Sequence, residues 1–94
     1  SAETDLANAN REMDEFLDEH EALYGEYNGL CNTTRRDHVI INKSPRRLQT
    51  SMCAAKKRIE DMRENGERAD LVRFMDEIEW RMNRIKQCES ACRR

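Results

Sequence analysis

The residues of this chain best equipped for chemistry are four cysteines, Cys31, Cys53, Cys88 and Cys92, and two histidines, His20 and His38. An even cysteine count in a short chain reads as a disulfide framework in an oxidising compartment. Two sequons, Asn32-Thr33-Thr34 and Asn42-Lys43-Ser44, point to the same extracellular or lumenal setting. They mark Asn32 and Asn42 as glycosylation sites, although Pro45 after the second disfavours its use. In the cytoplasm, the alternative location, all four thiols would stay reduced. Cys88-x-x-x-Cys92 would put two sulfurs on one side of a helix, half of a zinc site that Cys31 or His38 could complete. That spacing matches no short Cys-x2-Cys knuckle, so neither a metal nor a cofactor is expected.

A catalytic reading finds little to build on. A di-metal bundle needs inward Glu-x-x-His pairs, and the residue three before His20 is Leu17. Nucleophile elbows, His-Glu-x-x-His and phosphate-cradling glycine loops are absent from the sequence. His20 falls in the middle of an apolar stripe, where it reads as a satisfied core residue rather than a pH sensor. His38, beside Arg36 and Asp37, reads as solvent-facing. No catalytic residue is assigned, and the chain is expected not to be an enzyme.

Binding chemistry is better represented. Trp80, the single tryptophan, lies about 200° around its helix from the apolar seam, among Arg73, Asp76, Arg84 and Gln87. A lone outward Trp ringed by charge is the type of anchor that interfaces bury at their centre. Cover by Val39, Ile40 and Ile41 from within the chain is the competing explanation. A second candidate is a basic cluster of Arg35, Arg36, Lys43, Arg46, Arg47, Lys56, Lys57 and Arg58. It could steer an acidic partner or hold a polyanion. No aromatic residues interleave these bases, so no nucleic acid is expected.

The elements that position these groups follow from the rest of the 94 residues. Charged residues make up 38% of the chain, and its net charge is only −2. That total conceals a segregation. Residues 1–31 carry nine acids and one base, residues 32–63 nine bases and three acids, and residues 64–94 seven of each. Complementary flanks of the first two long helices, packed as antiparallel neighbours, are the simplest use of such a pattern.

Apolar residues recur at 3-4 spacing in three stretches. Leu6, Asn10, Met13, Leu17, His20, Tyr24, Tyr27 and Cys31 share one stripe, with Ala9 and Phe16 beside it. Leu48, Met52, Ala55, Ile59 and Met62 share a second; Leu71, Met75, Ile78, Met82 and Ile85 share a third, flanked by Phe74 and Cys92. Ser44-Pro45 starts a helix and Asn65-Gly66 stops it. Asp70 is placed to cap the next. The spacing therefore predicts an all-α domain of helices over about 4–28, 45–64 and 70–92, folded up-down-up as a three-helix bundle with coiled-coil-like seams. The connection 29–44 has room for a short helix over 35–42 or for a continuation of the first.

In this arrangement, with the first helix ending near residue 28, Cys31 and the pair Cys88/Cys92 share one end. Cys53 faces outward, roughly 12 Å from Cys88 along the axis. If the first helix instead runs to about residue 41, Cys31 comes level with Cys53 and a bridge between them is natural. Sequence alone leaves three connectivities.

No apolar run has the length of a membrane span. The uncapped ending Cys-Glu-Ser-Ala-Cys-Arg-Arg suits a piece of a longer chain. The functional expectation is a disulfide-stapled module that binds another protein, acidic in character, through Trp80, Arg73, Asp76 and Arg84, helped by Arg46, Arg47, Lys56 and Lys57. An intracellular coiled-coil scaffold or homo-oligomer with free thiols is the alternative, and polyanion binding by the basic segment a weaker one.

Overall fold

In the structure, a computed structural model, the backbone is described for residues 1–31 and 45–93 and the side chains for 1–30 and 55–93. The described chain is all-helical. It forms α1 (Ala2–Glu19), α2 (Glu21–Cys31), α3 (Pro45–Glu64) and α4 (Ala69–Cys92). The expected short helix over 35–42, the sequons, His38 and the Ser44 cap lie outside the described residues.

Local chemistry explains the ends of these helices. At the start of α1, the Ser1 hydroxyl accepts the Thr4 backbone N–H at 3.2 Å, and Glu3 and Asp5 place negative charge in the first turn. α3 ends in a Schellman motif. The Glu67 N–H donates to the Met62 carbonyl and the Gly66 N–H to that of Arg63, with Gly66 at a φ of +69°. A side chain at this position would be strained, which explains the glycine.

Two boundaries differ from expectation. The single helix over 4–28 is two helices, broken at His20 and continuing past Asn28-Gly29 to Cys31. α1 has no basic residue in its last turn. His20 fills that role itself, because its ring Nδ1–H donates to the Phe16 carbonyl at 2.9 Å and its backbone leaves helical geometry at φ −124°. A side-chain donor competing for a helix carbonyl is a recognised cause of a break. The second difference is that Asp70 does not cap α4. The cap position is Arg68, in left-handed geometry at φ 49°, and Asp70 sits in the first turn accepting the Leu71 N–H at 2.8 Å.

Packing assigns the helices their directions. α1 lies chiefly against α4, α2 against α3 and α4, and α3 against α4. Glu12 pairs with Arg84, Phe16 stacks on Phe74, and Glu26 pairs with Arg68. Residue numbers rise along the first leg, α1 and α2 together, as they fall along α4, so the two run antiparallel. Lys56–Glu79 and Arg63–Asp76 show the same for α3. The first leg and α3 therefore run in the same direction, with α4 as their shared antiparallel neighbour, instead of in the expected up-down-up order. Periodicity fixes which face of a helix is buried, and leaves its direction open.

One core joins the legs. Met13, Leu17, Tyr24, Tyr27, Ala55, Ile59, Met75 and Ile78 are at most 1% exposed. The side chains of Leu48 and Met52 lie outside the described set.

Candidate functional site

Trp80 is 55% exposed on α4, and every other large apolar side chain among the described residues is buried or half-buried. Its place between two flanks follows from helical phase. Arg84 and Arg81 lie about 40° and 100° to one side of it, Asp76 and Glu79 the same amounts to the other. The first pair reaches the first leg: Arg84 pairs with Glu12, and the Arg81 guanidinium lies 4.3 Å from the centre of the Phe16 ring. The second pair reaches α3. Asp76 accepts two bonds from Arg63, at 2.6 and 3.2 Å, and Glu79 stands 3.7 Å from the Lys56 ammonium. Trp80 thus crowns a ridge with α1 along one flank and α3 along the other.

The charges beside the ridge are pinned. Asp76 and then Glu60 raise the Arg63 pKa above the ordinary guanidinium value, so that cation is permanent. Arg81 sits between two rings, 5.1 Å from that of Trp80, and bonds Glu77 at 3.3 Å. Its Nε is buried without a hydrogen-bond partner among the described residues. Arg73, on the same ridge, is exposed and makes no ion pair among the described residues.

The expected site residues are only partly brought together. Trp80, Arg73, Asp76 and Arg84 share the ridge. Lys56 and Lys57 are exposed on α3, where Lys56 turns toward Glu79. The side chains of Arg46 and Arg47 lie outside the described set. α2 does pack against α3, but among the described residues the cross-helix ion pairs of the acidic leg and of α3 are made with α4 and the turn before it. The acidic leg is met by Arg84 and Arg68 of the α4 region, and the basic α3 by Glu79 and Asp76. With acids and bases both on its surface, α4 can serve both neighbours.

At the lower end of the ridge, Arg68 bonds Glu26 at 2.6 and 3.0 Å and Asp70 at 3.1 and 3.2 Å. The hydrogen bonds from Arg68 hold both carboxyls below their usual range. Cys88 and Cys92 are half-buried free thiols. α2 ends at Cys31 beyond the Glu26–Arg68 rung, and Cys88 stands twenty residues up α4 from Arg68, about 30 Å along the axis. Cys31 and the Cys88/Cys92 pair therefore lie at opposite ends, instead of the shared end expected from an up-down-up order. The side chains of Cys31 and Cys53 lie outside the described set.

One feature escaped sequence reasoning. The break at His20 opens a groove of about 450 Å³ against α4, lined by Phe16, His20, Leu23, Phe74, Arg73 and Arg81 among others. The signal for it was the acidic run Asp18-Glu19 with no base to close the helix end. Among the described residues no group of three or more His, Cys, Asp and Glu side chains is placed to hold a metal ion.

No protein-family model, curated protein or solved structure matches this chain. Among the described residues, no helix is long and apolar enough to cross a membrane.

Proposed function

We propose that this chain is a non-enzymatic protein–protein interaction module that docks through the outer face of α4, centred on Trp80. The observation that carries the reading is the exposure of Trp80 amid charges that, Arg73 apart, are already paired within the chain. Neutralised neighbours reduce the cost of desolvating the patch, and a buried Trp supplies much of the energy of a typical interface. The exposed bases of the middle segment, Lys57 and Arg58, would steer an acidic partner during encounter. In this reading the module is extracellular or lumenal, its glycans sit on Asn32 and Asn42, and the Cys88 and Cys92 thiols, free within this fold, are oxidised in that compartment. The test compares proteins captured by the wild-type chain and by a folded Trp80→Ala variant. Loss of specific partners supports the docking face; an unchanged set of partners contradicts it.

A second reading, an intracellular scaffold with reduced cysteines, is favoured by the free thiols of Cys88 and Cys92. A thiol count under denaturing conditions separates the two. Four free thiols support the scaffold, and none supports the oxidised module.

A further inference from the structure

We infer that the partner fitted by the Trp80 ridge is a second copy of this chain, packed face to face about a two-fold axis parallel to α4. This rests on the docking reading above and adds the identity and geometry of the occupant.

Height along the ridge decides which groups of two copies can face each other. The rungs Glu12–Arg84 and His20–Phe74 place Glu15 near Arg81 and Glu19 near Glu77. The rung Lys56–Glu79 places Lys56 beside Trp80. Glu15, Glu19 and Lys56 are therefore all within about one helical turn of Trp80. They occupy opposite sides, Glu15 and Glu19 on the α1 flank and Lys56 on the α3 flank. The Arg11–Glu15 pair at 3.5 Å and the Lys56–Glu79 pair at 3.7 Å within each copy are exposed and weak, so Glu15 and Lys56 can both turn to a facing copy. Glu12, Glu15 and Glu19 also line one shallow recess with Phe16 and Arg81, so this acidic rail faces the ridge.

Two such faces can meet about two kinds of two-fold axis lying in their common plane. An axis across α4 sets α1 against α1 and α3 against α3, opposing acid to acid and base to base. An axis along α4 keeps heights unchanged and exchanges the flanks. The Glu15 and Glu19 rail of each copy then faces Lys56 of the other, and the two Trp80 rings meet at the axis. Like charges face to face are costly and opposite charges specify register, so the charge pattern selects the parallel arrangement. Arg84 and Asp76 are drawn off the axis by Glu12 and Arg63, which leaves room for the indoles to stack. Of the charged ridge residues, Arg73 meets its own copy near the axis, and Arg73→Ala should tighten the pair.

The experiment is sedimentation of the purified chain from micromolar to millimolar concentration at low and high salt. The weight-average mass should climb from 11.2 kDa toward twice that value, less steeply at high salt. Trp80→Ala should weaken association by roughly 30-fold or more. A Glu15→Lys/Glu19→Lys chain, basic on both flanks, should stay monomeric. So should a Lys56→Glu/Lys57→Glu chain, acidic on both. All four positions are exposed, so both variants are expected to fold, and mixing the two should restore the dimer. A wild-type chain that remains monomeric at millimolar concentration and low salt overturns the inference, as does a mixture that fails to associate. If that monomer still loses captured partners on Trp80→Ala, the docking face stands and only the identity of its occupant falls.

Discussion

The two flanks of α4 are held by different means. On the α1 side the contact is aromatic. Phe16 stacks on Phe74 at 5.5 Å, Tyr27 meets Phe74 edge-on at 5.8 Å, and Arg81 caps Phe16. On the α3 side the core residues are aliphatic, Ala55 and Ile59, and the edge is laced by Lys56–Glu79 and Arg63–Asp76. The difference follows from chain connectivity. α3 and α4 are joined by the short turn 65–68, so their pairing is local and costs little loop entropy. The first leg meets α4 from far away in sequence and needs packing strong enough to repay the closure. A tethered flank can be secured by weak surface ion pairs, whereas a remote flank needs buried rings.

Truncating the ring that α1 and α2 both pack against should break this comparison most sharply. Phe74→Ala removes the stack and the T-shaped contact together and should cost about 3–5 kcal/mol, read by chemical denaturation. The matched truncation on the tethered flank, Ile59→Ala, should cost less, about 2–3 kcal/mol, the low end for a buried aliphatic side chain. Equal effects from the two would contradict the assignment of the α1 flank as the aromatic anchor.

The turn itself supplies the next test. Arg68 occupies a left-handed conformation that a β-carbon disfavours, while its guanidinium links α2 to α4 through Glu26. Both Arg68→Ala and Arg68→Gly lose the ion pair, and only glycine relieves the backbone. The alanine variant should therefore be less stable than the glycine variant by about 1 kcal/mol. A reversed order would show that backbone strain at residue 68 is not felt.

Smaller effects are expected from the charged edge. A double-mutant cycle on Arg63 and Asp76 should return a coupling of about 0.2–1 kcal/mol, because both side chains are substantially exposed and screened by solvent. Salt should reduce that coupling further. The depressed carboxyls of Glu26 and Asp70 set the direction of the pH response. Their stabilisation is complete above the ordinary carboxylate range and is lost as pH falls through that range toward their lowered values. An Arg68→Met variant should show a flatter stability profile in acid than the parent, and an unchanged slope would remove these groups from the account.

Much of this architecture was legible in the residues. The 3-4 stripe named Met13, Leu17, Tyr24 and Tyr27 as core, Pro45 and Gly66 marked the ends of α3, and phase put Trp80 on the outside. The break at His20 was hidden because neither proline nor glycine marks it, and a histidine on an apolar stripe reads as continuous helix. Direction was hidden for a different reason. Segment charges reveal that an acidic leg and a basic leg exist, but which neighbour each one pairs with depends on single residues such as Arg84, Glu79 and Asp76. The groove beside Phe16 and Phe74 was hidden along with the break that opens it.

The central claim is that Trp80 stands open on the isolated chain and becomes covered when the ridge is engaged. The chain has a single tryptophan, so its emission reports this site alone. Acrylamide quenching of that emission, followed from dilute to concentrated protein, tests the claim directly. The account predicts an accessible, red-emitting indole in the dilute monomer that shifts to the blue and resists quenching as the chains associate. An indole already protected in the dilute monomer, or one equally quenchable after association, would contradict it.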